Sequence, residues 1–304
     1  MSTGWLVNDC LTCIPGTKTF WHDLLEWLPE LKDKTNGYTN FDIIANKVEG
    51  HVKVEGAPSY IIRNATFFRR LNIPCKQVCL LQDCYDERTQ QKDVCNSSDV
   101  TVFNSNFTYS KYKNDITECD IKVIPLGTDF NLFNKSSNKH EDVLPNSILF
   151  VGNYNVVGKR IDIILDLVET TNYNFCLVMK DDFKMDHPRV SVFNRVDHET
   201  LVRIYNSCEM LICASPGETQ HLASIEAGAC GLPIITANSG ALYNVPSGEW
   251  GLKESDNNYL ECIEYIKNHK EEFSPREFLL KNKFDKDSCK TEWVNLIEEL
   301  NYNV

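Results

Sequence analysis

Two doubly wound α/β units in series are predicted for this chain, and three observations carry the prediction. Short apolar, β-rich runs alternate with amphipathic helical stretches along the sequence, the rhythm of parallel sheets covered on both faces. The length of 304 residues suits two domains at about 100–200 residues each. A polar stretch from Asn134 to Asn146, containing Ser136-Ser137-Asn138-Lys139, interrupts the rhythm and reads as a linker. The units are therefore expected at residues 1–138 and 139–285, with a last helix following.

In the first unit Trp5–Val7 reads as a short strand, followed by the turn Ile14-Pro15-Gly16-Thr17 and a helix from about Phe20 to Leu31. Phe41–Ala45 and Ser59–Ile62 read as strands, and a helix is expected through Phe67 and Leu71. Gln77–Leu81, Val100–Phe103 and Lys122–Ile124 complete the set. The second unit opens with strand Ser147–Val151 and helix Ile161–Thr170. Strands Phe175–Met179 and Val190–Phe193, helix Glu199–Ser207 and strand Met210–Ala214 follow. Helix Leu222–Ala229, strand Pro233–Thr236, helix Tyr259–Lys270, a loop at Phe273–Pro275 and a final helix Lys286–Leu300 end the chain. Ligands in such sheets sit beyond the carboxyl ends of the strands.

Composition narrows the function. Hydrophobic residues at 42% and charged residues at 24% describe a globular chain with a core, which excludes a disordered one. The net charge is −12 and no long basic run exists, so no nucleic-acid partner is expected. Residues 1–140 hold 16 basic against 17 acidic residues; the remainder holds 15 against 26. The near-neutral first part is the one expected to approach a membrane surface or an anionic acceptor. No apolar run reaches the roughly 20 residues that span a bilayer, and Met1–Asp9 carries no leader pattern. Thirteen cysteines, several inside apolar runs (Cys79, Cys176, Cys213, Cys230), read as reduced thiols. The expected location is cytoplasmic, at most peripheral at the cytoplasmic face of a membrane, where the sequons at Asn64, Asn96, Asn106 and Asn134 carry no glycan. Nothing in the sequence sets an oligomeric state.

The most informative stretch is Met210 to Thr236. A strand ends at Ala214, the polar loop Ser215-Pro216-Gly217-Glu218-Thr219-Gln220-His221 follows, and a helix carrying Glu226 opens near Leu222. Free amide N–H groups and the helix dipole then point into the crevice, a ready anion site. Glu218 and Glu226 are eight residues apart, about 80° apart on a continuous helix at roughly 100° per residue. With Glu218 in the loop and Glu226 two turns in, they can flank one ligand from different sides. Each carboxylate can accept from adjacent sugar hydroxyls, so the segment offers phosphate binding between two hydroxyl-binding ends, the outline of a sugar nucleotide. A second segment, Ile148 to Gly152, crosses a short loop and meets Lys159-Arg160 at the head of a helix. Cations there oppose the dipole by about 0.3–1 kcal/mol. A phosphate charge about 4 Å from an ammonium returns roughly 4 kcal/mol at an effective dielectric of 20.

These residues, in this order, resemble a retaining glycosyltransferase of family 4, of the type glycosyl transferases group 1. Val123-Ile124-Pro125-Leu126-Gly127-Thr128-Asp129 with Phe133 is similar to that family's segment before the linker. Phe150-Val151-Gly152 with Lys159 and Asp162 is similar to its diphosphate segment, and Glu218 to Glu226 to its paired-glutamate motif. Phe284 to Leu300 is similar to its terminal helix, which rejoins the first domain. The resemblance implies the GT-B fold, with two Rossmann-like doubly wound parallel-sheet domains facing a central cleft. Residues 1–138, joined by helix 286–304, would take the acceptor, and residues 139–285 the nucleotide sugar.

The resemblance further implies transfer with retention of configuration from a nucleotide-diphosphate sugar to an acceptor hydroxyl on a glycan, glycolipid or glycoprotein glycan. No cofactor and no metal are implied. Lys159 would hold the diphosphate, Glu218 the transferred sugar and Glu226 the ribose. Gln220, His221 and Leu222 would meet sugar or phosphate, and Gly16 and Gly152 would let loops approach the donor. Base contacts would fall near Phe193–Val196, with Arg195 among them. The family's Arg after the glycine is Asn153 here, with Arg160 as its substitute. Its Phe-Gly after the first glutamate is Gln220-His221, and its first-domain His is replaced by Gln82-Asp83, which makes Asp83 a catalytic candidate.

Other readings stay open. A sugar-nucleotide-binding pseudoenzyme fits Asn153 and the missing His, and a GT-B-type epimerase is compatible with Lys159 and Glu226. His221 can serve as a helix cap or as a ligand. Arg69-Arg70 reads as an exposed helix face. Cys10-x-x-Cys13 lacks a second ligand pair at metal spacing, so no zinc is expected.

Overall fold

The computed structural model describes residues 4–7, 15–33, 58–64, 70, 74–82 and 89–302. Cys10, Cys13, Ile14, the strand expected at Phe41–Ala45, the helix expected through Phe67 and Leu71, Arg69 and Asp83 lie outside the described residues. The chain divides into two compact units, Met1–Gly127 with Asp287–Val304, and Thr128–Lys286. Each is a parallel sheet with helices between its strands, as the alternating pattern predicts.

The first unit carries six parallel strands: β1 (Gly4–Val7), β2 (Leu31–Asp33), β3 (Tyr60–Asn64), β4 (Lys76–Leu81), β5 (Val100–Phe103) and β6 (Asp120–Val123). Their order is β2-β1-β3-β4-β5-β6. Helix α1 (Pro15–Trp27) starts earlier than the sequence suggests. Proline suits the first helical position, where its missing N–H is no loss, so Pro15 opens a helix instead of forming a turn. That helix also ends sooner, and Leu31 begins β2. Helices α2 (Thr89–Asn96) and α3 (Asn106–Tyr112) are too polar for their apolar spacing to reveal them. Arg70 is exposed and pairs with Asp99 at 2.8 Å. Trp293, on the last helix α9 (Lys286–Tyr302), is fully buried, its ring 6.0 Å from Phe20 of α1.

The second unit holds β7 (Ser147–Gly152), β8 (Asn174–Met179), β9 (Val190–Asn194), β10 (Cys208–Cys213), β11 (Ile234–Thr236) and β12 (Gly251–Lys253) in the order β12-β11-β10-β7-β8-β9. This is the doubly wound order, in which β7 and β10 meet at the topological switch point. Helices α4 (Ile161–Thr170) and α7 (Tyr259–Asn268) cover one face. The other is covered by α5 (His198–Tyr205), α6 (Leu222–Ala229) and α8 (Pro275–Lys281). Alternate residues of each strand serve opposite faces: Ile148, Phe150, Met210 and Ile212 face α4 and α7, while Leu149 and Leu211 face α5 and α6. Both sets are buried, which is why these strands read as continuous apolar runs.

The polar stretch Asn134–Asn146 belongs to the second unit, and the division falls before it, between Gly127 and Thr128. Its backbone is anchored: Ser136 N donates to Asn206 Oδ1 at 2.7 Å and His140 N to Ser207 Oγ at 2.8 Å. Phe130, Phe133 and Val143 enter the core. The described cysteines are all free thiols. Among the described residues no helix is long and apolar enough to cross a membrane.

Candidate functional site

The site lies at the carboxyl ends of β7 and β10. Because these strands are neighbours but their following helices pack on opposite faces, the loops leaving them diverge and open a crevice. One loop runs from Gly152 to Arg160, the other from Ala214 to His221. A side chain at Gly152 would meet the Phe150 ring at 2.8 Å, so this strand end stays free of bulk.

Two loop-borne groups meet there. Lys159 closes a single 3-10 turn, Val157–Lys159, and its Nζ lies 2.5 Å from Glu218 Oε1. Lys159 is 27% and Glu218 13% exposed in their side chains. Burial alone would raise the Glu218 carboxyl, but His221, Lys159 and the Ser215 hydroxyl outweigh it and hold Glu218 below the usual carboxylate range. Burial lowers His221 to about 4 against the pull of Glu218. His221 is therefore neutral at pH 7, and the charge opposing Glu218 at that pH is the lysine's. An ammonium has three donors; Glu218 engages one and leaves two for an incoming anion.

Helix α6 begins without a side-chain cap. Its N-cap residue is His221, in the left-handed region at φ 56° and ψ 71°, and the imidazole bonds Ser224 Oγ at 2.6 Å instead of a backbone N–H. The capping reading of His221 is thereby corrected: it occupies the position without performing the task. Ser224 N donates to His221 O at 3.0 Å, which leaves the Leu222 and Ala223 amides of the first turn for solvent or ligand.

Two turns on, Glu226 accepts from the hydroxyl of the fully buried Tyr205 at 2.9 Å. Burial raises the Glu226 carboxyl above its ordinary value, and the hydroxyl and His198 offset only part of that. The two carboxylates thus have separate partner sets, one charge-paired and one not.

Three further groups hold the second loop, none of which the motifs indicate. Gly240 N donates to Glu218 O at 2.8 Å, Ala241 N to Gln220 O at 2.9 Å, and Ser239 Oγ to Ser215 O at 2.7 Å. Gly240 sits at φ 69°, and a Cβ there would lie 2.8 Å from Gln220 O, so glycine is required by both conformation and space. At the far end of α6, Arg276 donates to the carbonyls of Ala229, Phe133 and Phe130 at 2.5–2.9 Å. It closes the helix C-terminus, as a cation does well.

The remaining expected residues are placed as follows. Arg160 adopts φ 52° at the head of α4, and its guanidinium faces Asp162 at 3.0 Å rather than Glu218. Arg195 follows β9, exposed, paired with Asp182 at 3.1 Å. Gln220 is buried and Leu222 opens α6. Asn153 folds its own loop, accepting from Asn155 N at 2.9 Å. Gly16 lies in the first turn of α1, in the first unit.

This geometry is accompanied by kinship. Residues 145–267, within the second unit, match the family described as Glycosyl transferases group 1. Among individual relatives, an uncharacterized glycosyltransferase of Methanocaldococcus jannaschii is 25% identical over 171 residues. That match takes in 50% of this chain and 48% of the relative, so the chain spans about half of the relative's length. A sucrose-phosphate synthase from Thermosynechococcus elongatus superimposes with a TM-score of 0.79 at 15% identity, over 99% of this chain and 100% of the other. HepE from Anabaena, in complex with UDP-glucose, superimposes with a TM-score of 0.73 at 15% identity, over 98% and 100%. At such identities these likenesses establish the fold, and it is GT-B.

Proposed function

We propose that this chain is a retaining glycosyltransferase, moving a sugar from a nucleotide-diphosphate sugar to an acceptor hydroxyl without a divalent metal. The observation that carries the reading is the meeting of Lys159 with Glu218 across the switch-point crevice, beside the uncapped start of α6. The two spare donors of Lys159 and the α6 amides take the diphosphate and stabilise it as it leaves. Glu218, tied to the same ammonium, accepts from hydroxyls of the transferred sugar, and the Glu226 oxygen not used by Tyr205 accepts from the ribose. The leaving phosphate takes the proton of the acceptor hydroxyl, which attacks from the face being vacated, so positioning supplies the rest of the acceleration. We assign the acceptor, a glycan, glycolipid or glycoprotein glycan, to the first unit, and place the protein in the cytoplasm, at most peripheral to a membrane. The free thiols support that placement.

The first test is thermal stabilisation by a panel of UDP-, GDP-, ADP- and dTDP-sugars, with UDP-glucose first because the Anabaena structure holds it. Ligand at about 100 times its dissociation constant adds roughly 2.7 kcal/mol, which moves the melting temperature by several degrees. No shift with any member overturns the reading. Stabilisation without transfer or hydrolysis, with a wide set of acceptors, identifies a binding protein instead; Asn153, spent on its own loop, is the feature that favours that outcome. Inversion of the sugar without acceptor identifies an epimerase.

A further inference from the structure

We infer that His221 is a specificity-determining residue, its Nε2 meeting a hydroxyl of the transferred sugar beside Glu218. The inference deepens the donor reading above and rests on it.

Three observations single the residue out. First, it stands in the left-handed region at φ 56°, where a side chain costs energy that glycine avoids, and such outliers persist where the surroundings hold them for a purpose. Second, it fills an N-cap position without capping, so helix formation does not explain the histidine. Third, the ring is oriented: Nδ1 is 2.6 Å from the buried Ser224 Oγ, the residue is only partly buried, and Nε2 has no partner among the described residues.

The chemistry of the partner follows. Ser224 Oγ can donate to Nδ1 or accept from it, so Nε2 is a donor in one tautomer and an acceptor in the other. A hydroxyl satisfies either state, because it donates and accepts; a phosphate oxygen satisfies only one. The anion already has Lys159, and a neutral imidazole adds no charge to it. His221 and Glu218 lie within electrostatic reach of one another, so one sugar bound there can present hydroxyls to both.

The test compares the full-length wild type with His221→Gly, which removes the ring while easing the backbone. A second variant, Ser224→Ala, frees the ring but keeps it. Calorimetry measures the nucleoside diphosphate that stabilises most in the panel, its sugar conjugate, and conjugates lacking or inverting one sugar hydroxyl. In His221→Gly, affinity for the free diphosphate stays within twofold, while affinity for the preferred sugar conjugate falls roughly three- to tenfold, the worth of one hydrogen bond. Discrimination against one particular altered hydroxyl disappears, and Ser224→Ala weakens that discrimination in the same direction. Unchanged ranking of the sugars in His221→Gly overturns the inference, as does an equal loss for diphosphate and conjugate, which would mark a role in shaping the α6 start. Absence of nucleotide binding by the wild type overturns the donor reading and this inference together.

Discussion

Lys159→Ala is expected to lower the rate of nucleotide-sugar cleavage by roughly two to three orders of magnitude, the usual effect of removing one donor aimed at developing negative charge. Charge builds on the diphosphate as the anomeric carbon departs, and Lys159 is the cation that the geometry brings to the crevice. Arg160 does not substitute for it, because its guanidinium is turned to Asp162 at 3.0 Å. The same substitution strands Glu218. With His221 neutral at pH 7, burial of the carboxylate is no longer opposed by a cation, so its affinity for a proton rises. Hydrolysis with water as acceptor measures the rate, with the melting temperature followed in parallel. A folded variant that keeps more than a third of the wild-type rate contradicts the role.

Glu226→Ala is expected to weaken nucleotide binding roughly 10- to 150-fold, because a carboxylate acceptor is worth about 1.5–3 kcal/mol to the hydroxyls it holds. Calorimetry with the free nucleotide measures it, and unchanged affinity contradicts the ribose assignment. The sign of the accompanying stability effect is informative. Burial raises the Glu226 carboxyl, so its ionisation takes stability away progressively as the pH rises from the ordinary carboxylate range, and the whole cost is present above the raised value. Glu226→Gln therefore raises the melting temperature at alkaline pH relative to wild type, and the difference narrows as the pH falls and the wild-type carboxyl takes up its proton. A charge kept in spite of its cost to the fold is what a binding residue looks like; a structural glutamate would lose stability on the same change.

The second unit was largely legible because its strands are buried on both faces and its helices on one. Continuous apolar runs and a clean helical spacing placed Ile161–Thr170 and Leu222–Ala229 to the residue. What was not legible depends on partners distant in sequence. The stretch Asn134–Asn146 looks like a linker because its side chains are polar, yet side chains some 70 residues away satisfy its backbone. Phe273-Ser274-Pro275 looks like a breaker, yet Pro275 opens α8. Lys159 and Arg160 are indistinguishable as adjacent cations; only the left-handed turn at Arg160 sends one to Glu218 and the other to Asp162. Tyr205 and Gly240 reach the site through pairings that no local pattern announces, although a tyrosine ending an amphipathic helix needs a partner for its hydroxyl once buried.

The most direct measurement of the central claim is a crystal structure of the chain with its best-binding nucleoside diphosphate. The account predicts a diphosphate oxygen within hydrogen-bond distance of Lys159 Nζ, the phosphate resting against the first-turn amides of α6, and the ribose on Glu226. A diphosphate seated elsewhere, with Lys159 still bound to Glu218 alone, would contradict it.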